Sequence, residues 1–343
     1  MQYYYPQQPQ YPQQPVQPPV MPVPQLTPEE QYRKKLRRVA LGLGGMLIAF
    51  FGLEFILAIL LEIPIAGAGL YNELTEDGVL LLLLNGVISV VIFFGAGLVY
   101  CLIRRLSFSE IFPFEKIGAA KLSKLCVIGL AFSLMSNYVV DFVNNTFGLV
   151  GLENTGGTID TGSNPNVLIY FLTVAILPAL AEEFAFRGVV MGALRPYSEA
   201  LAILVSSAAF ALMHGNFVQL PFTFCCGIVF AMIDVKTNSL LPSIIVHFLN
   251  NGLSVLADIL TSYNILDNTG ANVMYGAIFA VTGVLAFIFL KGFTKKQPEL
   301  FTLKGGNDGI PFKRKVTAVA SSPTMIVYTV LMGLYCLFTL LVT

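Results

Sequence analysis

Glu182, Glu183 and Arg187 stand together inside a long apolar stretch, in the run Ala181-Glu182-Glu183-Phe184-Ala185-Phe186-Arg187-Gly188. Leu168 to Leu180 before it is nearly all hydrocarbon, and Val189 to Leu194 after it is apolar again. A charge at bilayer depth costs about 2.5–3.5 kcal/mol on insertion scales, so it marks a functional interior. The chain has 2 histidines, and both lie in apolar segments. His214 closes Phe210-Ala211-Leu212-Met213-His214, and His247 opens His247-Phe248-Leu249-Asn250-Asn251. Two acids, an arginine, two imidazoles and an amide in membrane-type sequence can assemble a hydrolytic site.

Helical spacing divides these residues. Side chains four apart share a face, and side chains one apart diverge by about 100°. Arg187 can therefore pair with Glu183. Glu182 points elsewhere and is the freer carboxylate, so it is the chemical group and Glu183–Arg187 an internal ion pair. Phe210 and His214 share a face, with the ring beneath the imidazole. His247 and Asn251 share another and present two polar tips to one cavity. With the segment's midpoint at Ala181, Glu182, His214 and His247 all fall within roughly 8 Å of the bilayer midplane at the helical rise. Each residue alone also admits a structural role: an intramembrane His or Asn can bond a neighbouring helix, and an ion pair can serve packing. Both histidines of the chain being used this way points to one site.

The elements that must position them are transmembrane helices. The chain has 343 residues, 55% hydrophobic and 12% charged, against about a quarter charged in a soluble domain. Apolar runs of about 18 or more residues read as spans. They lie at about 39–61, 79–103, 125–144, 166–195, 200–217, 220–233, 241–259, 273–290 and 323–342. The expected fold is an all-α polytopic bundle of about eight or nine spans over residues 29–343. Residues 1–28 are a Gln/Pro-rich tail that cannot bury a core and is expected to be disordered, the alternative being a docking tail for a partner that reads proline-rich peptides. Thr27-Pro28-Glu29-Glu30 reads as a helix start. The fifth and sixth spans are the weakest, both short and separated only around Gly215 and Asn216.

Charge sets the orientation. Arg33, Lys34, Lys35, Arg37 and Arg38 precede the first span, and Arg104, Arg105, Lys116, Lys121 and Lys124 follow the second. Arg195, Lys236, Lys291, Lys295, Lys296 and the Lys304–Lys315 loop fall on the same side. The opposite loops carry Glu62, Glu73, Glu76, Asp77, Glu153 and Asp160. Basic residues beside spans mark the cytoplasm, so the N-terminus is expected there. A formal net charge of +0 gives no reason to expect nucleic-acid binding. Cys101, Cys126, Cys225, Cys226 and Cys336 lack metal-type spacing and read as structural. Glu54, Asp141 and Asp258 read as interfacial or paired across the bundle.

Glu182-Glu183-x-x-x-Arg187, Phe210-x-x-x-His214 and His247-x-x-x-Asn251 resemble, intact and in order, the three motifs of the CPBP family of intramembrane proteases. This is the Abi or CAAX-protease group, which includes the type II CAAX prenyl endopeptidases. The resemblance covers about residues 120–260. It implies an intramembrane endopeptidase in which Glu182 and His214 activate a water and His247 and Asn251 form an oxyanion hole. Glu183, Arg187 and Phe210 would shape the site. The chemistry agrees: an apolar setting makes a carboxylate more basic, and an imidazole and an amide aimed at one point stabilise an oxyanion. The expected substrate is a membrane-associated protein or peptide, cut near the cytoplasmic face of what is read as a bacterial plasma membrane.

Other readings stay open at this point. Glu182, His214 and His247 are also a legitimate catalytic zinc set, although the His-Glu-x-x-His helix motif is lacking; a metal-free mechanism without cofactor is favoured. A proton-coupled transporter could use the same acid and imidazoles as a relay, but no inverted repeat pairs the two halves. An inactive scaffold sharing the fold is the third, and the intact motifs count against it.

Overall fold

The computed structural model describes Met1 and residues 26–67, 79–149, 167–304 and 309–341. Most of the Gln/Pro-rich tail, and the acidic residues at 73, 76, 77, 153 and 160, lie outside the described residues, as does the side chain of Asp141. The described chain is α-helical, and eight of its helices are long and apolar enough to cross a membrane. They are α1 (Pro28–Gly67), α2 (Val79–Arg104), α3 (Ala119–Gly148), α4 (Val167–Leu194), α6 (Gln219–Thr237), α7 (Leu241–Ser262), α8 (Asn268–Lys296) and α10 (Pro323–Leu341). Between α4 and α6 runs the shorter apolar α5 (Glu199–Met213). An amphipathic α9 (Phe312–Ala320) precedes α10.

Several helices outrun their apolar segments because a polar residue caps them beyond the hydrocarbon. Thr27 and Glu30 form a reciprocal capping box at the start of α1: Thr27 N–H donates to Glu30 Oε2 at 2.8 Å, and Glu30 N–H to Thr27 Oγ1 at 3.3 Å. Asp267 Oδ1 accepts from Gly270 N–H at 2.6 Å and starts α8 before its apolar run. Asn238, at φ 51°, gives α6 a left-handed C-cap past its last apolar turn.

Lipid tails are as apolar as leucine, so close packing rather than the hydrophobic effect holds membrane helices together. One close approach near the site is that of α6 on α5. A Cβ at Gly227 would sit 2.9 Å from Ser207 Cβ and 3.0 Å from its Cα. Around this pair, α1 packs on α2 and α10, and α3 on α6, α7 and α8. The interior is continuous from Leu36, Leu43 and Phe50 of α1 through Phe184 and Phe186 of α4 to Leu201 and Phe210 of α5. Phe112, Phe184 and Phe94 stack successively, with centroids 4.4 and 4.2 Å apart. Cys101, Cys126, Cys226 and Cys336 are buried, while Cys225 is exposed.

Candidate active site

The motif segment of α4 is not an ordinary α-helix. Phe171–Ile176 and Glu183–Val190 are wound in π register, and all residues of the second stretch are buried. Single π turns inside α-helices recur at functional sites because they re-aim side chains. Here one begins at the second of the two paired acids.

Glu183 and Arg187 form the expected ion pair, Oε1 to Nη1 3.2 Å, with both side chains fully buried. The guanidinium lies 4.1 Å from the Phe210 ring centroid and 5.4 Å from that of Phe230. Its nitrogens make no hydrogen bond of good geometry among the described residues. Charge and ring contact, rather than a bidentate fork, therefore hold Arg187. Glu183 Oε1 also meets His247 Nδ1 at 2.8 Å. The same acid thus grips α4's own arginine and the histidine of α7.

Beneath this cluster lies a residue that helical spacing did not single out. Asp234 of α6 is buried, and its Oδ1 accepts from Ser243 N–H at 3.2 Å in the first turn of α7. It caps the helix that carries His247 and Asn251. The available signal was its place one turn before the end of α6, ahead of Leu241-Pro242-Ser243, and that pattern is too common to stand out.

Glu182 faces the other way. It lines a cavity of about 1140 Å³ together with His214, Asn251, Asn250, Ser254 and Glu54. His247 Nε2 approaches it from the buried side, 3.8 Å from Oε2. His247, rather than His214, is thus the imidazole within 4.0 Å of Glu182 among the described residues. His214 Nδ1 bonds the Phe210 carbonyl at 2.8 Å. A carbonyl only accepts, so this contact assigns the proton to Nδ1 and leaves the Nε2 lone pair free. The Phe210 ring packs edge-on beneath the imidazole, centroids 4.8 Å apart, as their spacing predicts.

Asn251 Nδ2 donates to the Val174 carbonyl of α4 at 3.2 Å. Pro178, four residues on, has no N–H with which an α-helix would satisfy that carbonyl. Asn251 thereby ties α7 to α4 and keeps its second N–H available. Asn250 Nδ2 donates in turn to Asn251 Oδ1 at 3.3 Å.

The remaining intramembrane acids divide. Asp258 is paired across the bundle, accepting from Tyr170 Oη at 2.8 Å. Glu54 instead lines the cavity and makes no ion pair among the described residues. Among those residues, no three His, Cys, Asp or Glu side chains converge as a metal site requires. Both Nδ1 atoms are engaged, by the Phe210 carbonyl and by Glu183, which leaves Nε2 of each ring for any other partner.

A family model described as type II CAAX prenyl endopeptidase Rce1-like matches residues 164–253. The membrane-embedded CAAX protease MroQ of Staphylococcus aureus (strain USA300) is 32% identical over 143 residues, 39% of this chain and 57% of the relative. The chain thus spans a little over half the length of that curated relative. No solved structure matches the chain. The residues matched by the family model contain all three motifs, Glu182-Glu183-x-x-x-Arg187, Phe210-x-x-x-His214 and His247-x-x-x-Asn251, and over them the chain is similar to the CAAX proteases.

Proposed function

We propose that the protein is an intramembrane endopeptidase that hydrolyses a peptide bond of a membrane-associated protein or peptide without a metal. The observation that carries this reading is the meeting of Glu182, His214 and Asn251 on one cavity, with His247 Nε2 3.8 Å from Glu182. A water between Glu182 and the Nε2 of His214 loses its proton to the carboxylate as its oxygen attacks the substrate carbonyl carbon. The C=O electrons move onto oxygen, and the resulting charge accepts hydrogen bonds from His247 and the free N–H of Asn251. When the tetrahedral species collapses, the C–N bond breaks and Glu182 returns its proton to the leaving amine.

Glu183 has a distinct task in this scheme. His247 can donate to Glu183 from Nδ1 and to the oxyanion from Nε2 only when it carries both protons. A buried carboxylate at 2.8 Å supplies the counter-charge. Positioning and electrostatics together account for the pair of adjacent acids.

The test is cleavage of a quenched membrane peptide by purified protein in proteoliposomes. Glu182→Gln and His214→Ala are expected to remove cleavage and leave the melting transition in place. Full activity of Glu182→Gln would overturn the proposal.

A further inference from the structure

The cavity is placed asymmetrically along the bundle. Glu54 lies in the second half of α1, Asn85 in the first quarter of α2 and Asn145 near the end of α3. His214 follows the last residue of α5, Gln219 opens α6, and Asn272 is in the first turns of α8. Each sits away from the helix end that carries Lys or Arg. Those basic ends meet at the other face. Lys236 pairs with Glu199 at 3.1 Å, and Glu199 N–H donates to the Lys304 carbonyl at 3.0 Å. Arg195 bonds Asn238 Oδ1 at 2.7 Å, Lys315 Nζ donates to the Tyr197 carbonyl at 3.1 Å, and Arg314 pairs with Glu29.

Basic residues beside spans stay on the cytoplasmic side. We propose that the cavity opens on the non-cytoplasmic face of the membrane and admits an unlipidated peptide segment from that side. This reverses the cytoplasmic-face cut expected from the sequence.

The wall supports the peptide clause. Asn85, Asn145, Gln219, Asn250, Asn251 and Asn272 are all amides, drawn from five helices. A lipid chain would leave such groups unpaired, at a cost for each buried one. An extended peptide offers them a donor and an acceptor at every residue. Glu54 and Glu182 are acidic, and no Lys or Arg is among the described residues of the lining. A substrate end bearing a free carboxylate would meet like charge, so an internal bond fits better than a terminal one. The substrate clause rests on the cavity being the active site, whereas the topology clause does not.

Two measurements test the pair separately. Asn145→Cys and Asn272→Cys, each with Cys225→Ser, are treated with a membrane-impermeant maleimide in intact cells and again after permeabilisation. Lys296→Cys serves as the opposite-face control. Both cavity cysteines are expected to label fully in intact cells, and the control only after permeabilisation. Labelling of the cavity cysteines only after permeabilisation, from both faces in separate populations, or not at all would overturn the topology. Right-side-out vesicles are then given one peptide sequence in plain and farnesylated forms. Preferential cleavage of the plain form is expected; preference for the farnesylated form would overturn the peptide clause. External labelling with no cleavage of either form, from either side, would keep the topology and remove the protease reading together with its substrate.

Discussion

Glu182 and Glu183 are neighbours in the chain and differ in everything around them. Glu183 is fully buried, ion-paired to Arg187 and bonded to His247. Glu182 keeps 19% of its side chain exposed, on a cavity whose wall carries eight amides among its other lining residues. One region is a dry cluster of charges held by packing, and the other a chamber of about 1140 Å³ with both apolar and amide walls. His247 touches both, through a different ring nitrogen each. The difference shows how one helix can serve two regions from adjacent positions: a step of about 100° around the axis sends the second acid inward and leaves the first on the cavity.

The sharpest way to break this comparison is to exchange the two acids' fates. Glu182→Gln is expected to lower cleavage by roughly 10²–10⁴-fold, the usual worth of a general base, with no change in thermal unfolding. A large loss of stability would show that Glu182 belongs to the dry cluster after all. Arg187→Ala is expected to cost about 3–5 kcal/mol of stability, because it strands the Glu183 charge in the interior. Unfolding in detergent measures this, and a stability equal to wild type would erase the distinction from the other side.

The boundary residue His247 gives a smaller and more discriminating effect. His247→Ala and Asn251→Ala should each lower the rate roughly 10²–10³-fold, as for an oxyanion donor, with no change in metal content by elemental analysis. One equivalent of zinc in wild type, lost along with activity in His247→Ala, would replace the metal-free mechanism. The smallest effect lies outside both regions. Tyr328→Phe removes a buried hydrogen bond to the Ala209 carbonyl, 2.9 Å long. It should lower stability by about 0.5–1.5 kcal/mol and leave the kinetics of Glu182 intact.

What was readable in the sequence follows from what each signal measures. Apolar run length gave the spans, and four-residue spacing gave the Glu183–Arg187 pair and the Phe210–His214 stack. Those relations are local. Asp234 as the cap of α7, and Asn251 as the tie to Val174, depend on which helices become neighbours, and spacing along one helix carries no such information. Glu54 illustrates the same limit. Its presence in a span is visible, but only the packing of α1 against the rest decides between an interfacial acid and a cavity wall. The π register of α4 leaves no compositional trace either, since Phe184 to Val190 would suit an α-helix equally well.

Helix α10 lies outside the three motifs, yet it holds the corner that carries His214. Thr339 Oγ1 donates to the Gly215 carbonyl at 3.0 Å, across 124 residues of chain. Gly215 has φ +60°, and a Cβ there would collide with the Tyr335 ring. Tyr328 anchors the same helix to α5 one and a half turns earlier in the corner's approach. During synthesis these residues leave the ribosome long after His214 has been inserted. The corner therefore waits for its brace, and a nascent chain still lacking α10 holds all the motifs without the Thr339 and Tyr328 hydrogen bonds.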